Sequence, residues 1–326
     1  MDIILKDIGV ATFFADDDLV NSSGINAKLA QFKQRLPVVN HHQLMPNEYF
    51  EQYTQPSSFS ELLDVDTKPS KKLARIAANA FKDLTRVAAM DDMEWENSGL
   101  FVALPAHYQA WDQQCLRDFF DEFHDETGRD FAHYEDFSFF GATGALKAIA
   151  KATQQIQAGL LSRAVIGGID AAVVFSDKSK NQMPCESAAF ILLEPANVIS
   201  AEVNIRIHTP VIKSIQSNAE EGLSQVLGEI LLGDTEAPLV VCDLQHHNSD
   251  QFGWQIAAEK FSTKYGQHLP LKQPVTSTCE HEATSAALLV VMASALIGSK
   301  NRGHQQALVW CSSDDGEHAA MMLSRY

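Results

Sequence analysis

The chain has 326 residues, 45% hydrophobic and 21% charged, enough for one large or two ordinary domains of a soluble globular protein. A net charge of −17 speaks against nucleic acid as a partner, because phosphate binding draws on clustered Lys and Arg, and no apolar run approaches the roughly 18 residues of a membrane span. Five scattered cysteines (Cys115, Cys185, Cys242, Cys279, Cys311) form no CxxC pair, which argues against a zinc site or a disulfide framework and for reduced, mostly buried thiols.

The start, "MDIILKDIGVATFFAD", supplies an opening strand and has no basic n-region of a secretory signal, so a cytoplasmic protein is expected. From Val20 to Val65 the chain is polar with scattered aromatics, and residues 1–66 receive no further assignment or role. After Pro69 the pattern sharpens. Ser70 reads as an N-cap, and Leu73, Ile76, Ala77, Ala80, Phe81, Leu84 and Val87 recur at helical spacing. The same helix carries Lys68, Lys71, Lys72, Arg75, Lys82 and Arg86, which are either a solvated face or a docking patch for an acidic partner centred on Lys71, Lys72 and Arg75. "SGLFVALPA" (Ser98 to Ala106) then reads as a short buried strand, and helix-to-strand alternation of this kind predicts a layered α/β architecture.

An internal repeat follows. The first copy runs helix (Thr143 to Ala158), Gly159, a polar turn, the strand "AVIGGIDAAVVF" and "CESAAFILLE". The second runs helix (Glu282 to Ile297), Gly298, a turn, the strand "ALVWCSS" and "GEHAAMMLSR". Glu186-Ser187-Ala188-Ala189 aligns with Glu317-His318-Ala319-Ala320, each leading into a strand of the sheet core. In the first helix Leu146, Ile149, Ala150, Thr153 and Ile156 make one apolar face, with Lys147, Lys151 and Gln154 opposite. The second, "ATSAALLVVMASALI", is apolar almost all round. Both helices are therefore expected near the middle of the molecule, between sheets. The halves are expected to be 1–195 and 196–326, together one unit.

In this order the motifs resemble the β-ketoacyl synthases of the thiolase-fold superfamily, over about Ser70 to Tyr326. "MPCESAAFILLE" is similar to that family's Gly-Glu-Gly-Ala segment, with Glu186 at the acidic position. "STCEHEATSAALLVVM" is similar to its Gly-His-x-x-Gly-Ala-Ala-Gly motif, with His281 at the histidine. The resemblance implies an α/β thiolase-like fold of two pseudo-duplicated halves, layered α-β-α-β-α with two central helices. It also implies a homodimer or a heterodimer with a related synthase, an acyl carrier protein as partner, and no cofactor or metal.

The family's chemistry needs a thiolate at the start of the first central helix, two imidazoles for the thioester enolate, and backbone N–H groups for the oxyanion. Counted back from Gly167-Gly168, the nucleophile position falls on Ala142, whose methyl cannot attack a thioester. Thr143 is a substitute only with an adjacent base. The first histidine position falls on Gln245 without a gap or on His246 with one, so His246 and His247 are both candidates. The Gly-Thr-Gly-Thr run is replaced by Asn248-Ser249-Asp250, the lysine before the second histidine by Thr276, and the Gly-Phe-Gly-Gly loop by "CSSDDGEH".

Each surviving residue also has a structural reading. His281 serves equally as a hydrogen-bonded residue at a buried helix start, Glu186 as a satisfied carboxylate, and Cys279 or Cys311 as an inert buried thiol rather than a relocated nucleophile. The expected function is a synthase-like protein lacking the condensing nucleophile, a partner in fatty acid or polyketide-type metabolism in the manner of chain-length factors. The alternatives are an acyltransferase or 3-oxoacyl-carrier-protein synthase with rearranged chemistry, a malonyl thioester decarboxylase, and a non-enzymatic assembly protein.

Overall fold

The opening strand is present as β1 (Ile3–Thr12). The computed structural model describes residues 1–12, 38–39, 68–88, 90–105, 112–129, 131, 135–138, 141–170, 183–184, 187–196, 205–214, 219–231, 237–242, 248–266, 271–274, 279–280, 287, 290, 293–294, 297, 304–313 and 316–325. After β1 come β2 (Val38–Val39), α1 (Pro69–Val87), α2 (Asp92–Glu96), β3 (Ser98–Ala103), α3 (Gln113–Thr127) and β4 (Glu135–Ser138). A 3₁₀ turn (Gly141–Thr143) opens α4 (Gly144–Gln157), followed by β5 (Arg163–Asp170), β6 (Met183–Pro184) and β7 (Ser187–Pro195). The remainder holds β8 (Ile205–Ile207), β9 (Val211–Ser214), α5 (Ala219–Leu231), β10 (Leu239–Cys242), α6 (Asn248–Tyr265), β11 (Leu271–Pro274), β12 (Cys279–Glu280), β13 (Gln306–Ser312) and β14 (Glu317–Arg325). Ala287, Val290, Ala293, Ser294 and Ile297 are helical and buried, as the second apolar helix requires.

Ser70 is not the cap of α1. The helix begins one residue earlier at Pro69, with Lys68 in the cap position and no side-chain cap bond. Proline fixes the φ of a first helical residue and has no N–H to leave unsatisfied, so it outcompetes the serine as a start signal. Ser70 lies inside the helix and is buried.

The repeat is visible in the strand pairing. In the first half β7 is antiparallel to β1 and to β5, and β5, β3 and β4 run parallel. In the second, β14 is antiparallel to β8, β9 and β13, and β13, β10 and β11 run parallel. Register agrees as well: Ala188 and Ala189 face Ile169 and Gly168, while Ala319 and Ala320 face Cys311 and Trp310. The short β8 pairs with both β1 and β14 and so joins the two sets of strands.

Three apolar clusters define the layers. The central one gathers Leu146, Ile149 and Ile156 of α4, Val290 and Ile297, and Ile166, Val309 and Met321 from strands of both halves. One outer cluster packs α1 and α3 on the first half's strands, where Phe81 meets Trp95, Phe123 and Phe190 edge to face at centroid distances of 5.2, 5.4 and 5.9 Å. The other packs α5 and α6 on the second half, with Trp254 stacked on Trp310 at 6.0 Å. The order helix, sheet, helix, sheet, helix is the layered arrangement expected. Each buried aromatic or aliphatic side chain contributes roughly 2 kcal/mol by leaving water. Backbone of β1 and α1 nearly touch at Gly9, where a Cβ would lie 2.2 Å from the Ala80 carbonyl oxygen. Among the described residues no helix is long and apolar enough to cross a membrane.

Candidate functional site

The start of α4 is built from both halves. β4 ends at Ser138, and Gly141 (φ 53°) turns the chain into the 3₁₀ turn that presents Ala142 and Thr143. A positive φ is inexpensive only for glycine, so this corner depends on Gly141. α4 then starts at Gly144, where a Cβ would lie 3.0 Å from the Ala103 Cβ of β3. Ala142 is half-buried between Gly141 and Thr143, both buried. The Ser138 hydroxyl, next to Gly144, is buried and among the described residues has no hydrogen-bond partner.

The second half supplies Glu317. Gly316 (φ 81°) turns the chain into β14, and Glu317 is its first residue. The Thr143 hydroxyl donates to Glu317 Oε1 at 2.5 Å, and Lys147 Nζ pairs with Glu317 Oε2 at 2.7 Å. The Glu317 side chain is 11% exposed and that of Lys147 21%, so this carboxylate, ammonium and hydroxyl form a largely buried cluster. An ion pair so placed is costly to form, and losing one partner strands the other. Beside it His318 is 1% exposed and its Nδ1 lies 2.7 Å from Ser312 Oγ across the β13–β14 pair.

Of the residues singled out in the sequence, Ala142 stands in the turn that opens α4, and the Thr143 hydroxyl donates to the Glu317 carboxylate. Glu186, Gln245, His246, His247 and His281 lie outside the described residues. Cys279 belongs to β12, which runs parallel to β6, with Cys279 opposite Met183 and Glu280 opposite Pro184. Thus the segments leading into Glu186 and His281 are side by side. Cys311 is buried in β13, opposite Ala319.

The basic helix is compensated within the fold. Along α3, Asp118, Glu122 and Glu126 recur at four-residue spacing and meet α1. Lys68 pairs with Asp118 at 2.8 Å, Lys71 and Arg75 with Glu122 at 3.0 and 2.7 Å, and Lys82 with Glu126 at 2.8 Å. Burial pushes the Glu122 carboxyl up, but the bonds from Lys71 and Arg75 outweigh it and its pKa lies below the ordinary value. Bonds from Lys68 and Gln114 likewise lower Asp118. Lys72 lies on the same helix, half-buried.

Sequence reading missed two members of the buried cluster. Lys147 reads as part of a polar helix face, yet it reaches to the second half. Glu317 reads as a repeat marker, and its equivalence to Glu186 is the one signal that singled it out. Neither spacing nor periodicity reports that residues 143 and 317 meet.

No protein-family model and no curated protein matches the chain. Among solved structures it is similar to the ishigamide ketosynthase/chain length factor, at 11% identity and TM-score 0.64 over 100% of this chain and 99% of that one. It is also similar to a type II polyketide synthase acyl-carrier protein in complex with its ketosynthase bound to the hexaketide, at 13% identity and TM-score 0.64, again over 100% and 99%. A third is an oxazolomycin ketosynthase domain of Streptomyces albus, at 14% identity and TM-score 0.61 over 99% and 95%. The fold is the thiolase-like fold of ketosynthases.

Proposed function

We propose that this is a ketosynthase-like protein without a condensing thiol, a non-condensing partner in the manner of chain-length factors that handles carrier-bound acyl chains of fatty acid or polyketide-type metabolism. The observation that carries the reading is Ala142 in the turn before α4, within a fold shared with ketosynthases and a chain length factor. In this reading residues 1–195 and 196–326 are the two halves, the acyl chain is delivered by an acyl carrier protein, and the active assembly in the cytoplasm is a dimer, with a second copy or with a related synthase. His281 and His246 or His247 are then remnants of the enolate-stabilising pair, and Glu186 of the acidic position.

Incubation with an acyl thioester of a carrier protein, followed by intact mass spectrometry, tests it. The expected result is a complex with no covalent adduct, and an acylated chain overturns the non-condensing reading.

One observation favours a second reading, acyl transfer through Thr143. Its hydroxyl already donates to a carboxylate. Oγ would attack the thioester carbonyl as its proton passes to Glu317. The C–S bond would then break, with the leaving thiolate taking that proton from Glu317, giving an O-acyl ester on Thr143 and a free thiol. Mapping an adduct to Thr143, and its loss in Thr143→Val, separates this from transfer through Cys279 or Cys311. A third reading, docking of an acidic partner by Lys71, Lys72 and Arg75, has less support, because Glu122 engages two of the three.

A further inference from the structure

The bases of α1 already hold an acidic helix. Asp118, Glu122 and Glu126 stand on one face of α3, and Lys68, Lys71, Arg75 and Lys82 of α1 bond to them. Glu122 is shared: Lys71 Nζ donates to Oε2 at 3.0 Å and Arg75 Nε to Oε1 at 2.7 Å. The two ends of these pairs differ in cover. The Lys68, Lys71 and Arg75 side chains are 65%, 43% and 38% exposed, whereas those of Asp118 and Glu122 are 14% and 11% exposed. Water along this seam therefore meets the bases, with the two carboxylates largely covered. Among these five side chains the balance is one positive charge, on a chain whose net charge is −17. Asp118 and Glu122 both titrate below their ordinary values, so both stay charged at neutral pH. An acidic partner reaching the seam finds its counter-charges in use, and the resident carboxylates offset most of the attraction.

We propose that α3 is a built-in competitor for the α1 bases: Asp118 and Glu122 hold the Lys68, Lys71 and Arg75 face at low affinity for an acidic acyl carrier protein, which docks there weakly. The inference rests on the carrier-delivery reading above and names the surface that receives the carrier and the residues that weaken the contact. Glu122 carries most of the effect, because this one carboxylate answers two bases. A carrier that delivers a chain and departs needs a short-lived complex, and weak docking shortens the residence time.

The test measures the binding of two probes, a hexanoyl-loaded acidic acyl carrier protein and a poly-glutamate peptide, to the full chain at low and at high salt. Glu122→Gln tightens both about ten-fold at low salt, and the gain fades at high salt. Adding Lys71→Glu cancels it. Glu126→Gln is the control: it changes the net charge by the same amount, but its partner Lys82 lies further along α1, so its gain is clearly smaller.

No gain in Glu122→Gln, or weaker binding in it, overturns the proposal. An equal gain in Glu126→Gln does so too, because overall charge then accounts for the effect. If Glu122→Gln does not fold, Asp118→Asn, which releases Lys68, decides in its place. A gain with poly-glutamate while no variant binds the carrier leaves the competition standing and overturns carrier delivery, so the two failures are told apart.

Discussion

Two sets of ion pairs occupy this molecule, and they do different things. Between α1 and α3, three acids at helical spacing meet four bases at the surface. At the start of α4, Glu317 from β14 meets, among the described residues, the Lys147 ammonium and the Thr143 hydroxyl in a largely buried setting. In the first set the bases reach water, at 38–65% exposed, even though the Asp118 and Glu122 side chains are about as covered as Glu317. Screening and side-chain entropy therefore act on the cationic end of each pair and leave it a small contribution. The second has little water to fall back on, and each member depends on the others. Charge count alone ranks the surface ladder higher, and environment reverses that order.

Removing one interior partner breaks the comparison most severely. Glu317→Ala removes the carboxylate that pairs with Lys147 and accepts from Thr143, and a loss of about 3–5 kcal/mol in urea unfolding is expected. The double variant Glu317→Leu/Lys147→Met removes both charges and should recover much of that loss; no recovery would mean that the pair is not the source of the cost. At the surface, Glu122→Gln should cost only about 1 kcal/mol or less, and the loss should shrink in high salt.

The pH dependence sharpens the contrast further. Because Glu122 titrates below its ordinary value when folded, its contribution is present above the unfolded carboxyl pKa and is lost as pH falls through the folded one. The gap between wild type and Glu122→Gln should therefore close on acidification, and a gap that persists in strong acid would assign it to packing. Smallest of all, Lys82→Ala breaks an exposed pair with Glu126 and should shift the melting temperature very little.

Much of the architecture was legible because it is written in local patterns. The apolar run of α1, the strand carrying Gly167-Gly168, and the repeated Glu-x-Ala-Ala at the start of β7 and β14 all report burial, and burial follows periodicity. The helix α3 went unassigned although its signals were present: Asp112 caps it by accepting from Cys115 N, and Gly128 closes it at φ 63°. The site was only half legible. Ala142 and Thr143 could be placed by counting from a motif, whereas Glu317 joins them across 174 residues through the way the halves pack. Sequence spacing carries no record of that meeting. The start of α1 was misread for a simpler reason, since a proline beside a serine offers two start signals and the serine is the weaker.

The shared strand β8 has a mechanical consequence. Its three residues hydrogen-bond to β1 on one side and β14 on the other, so neither half can slide past its twin without tearing a backbone ladder. Calorimetry should accordingly record one melting event instead of two, and a proline replacing Arg206, the middle rung, is the change most apt to split it.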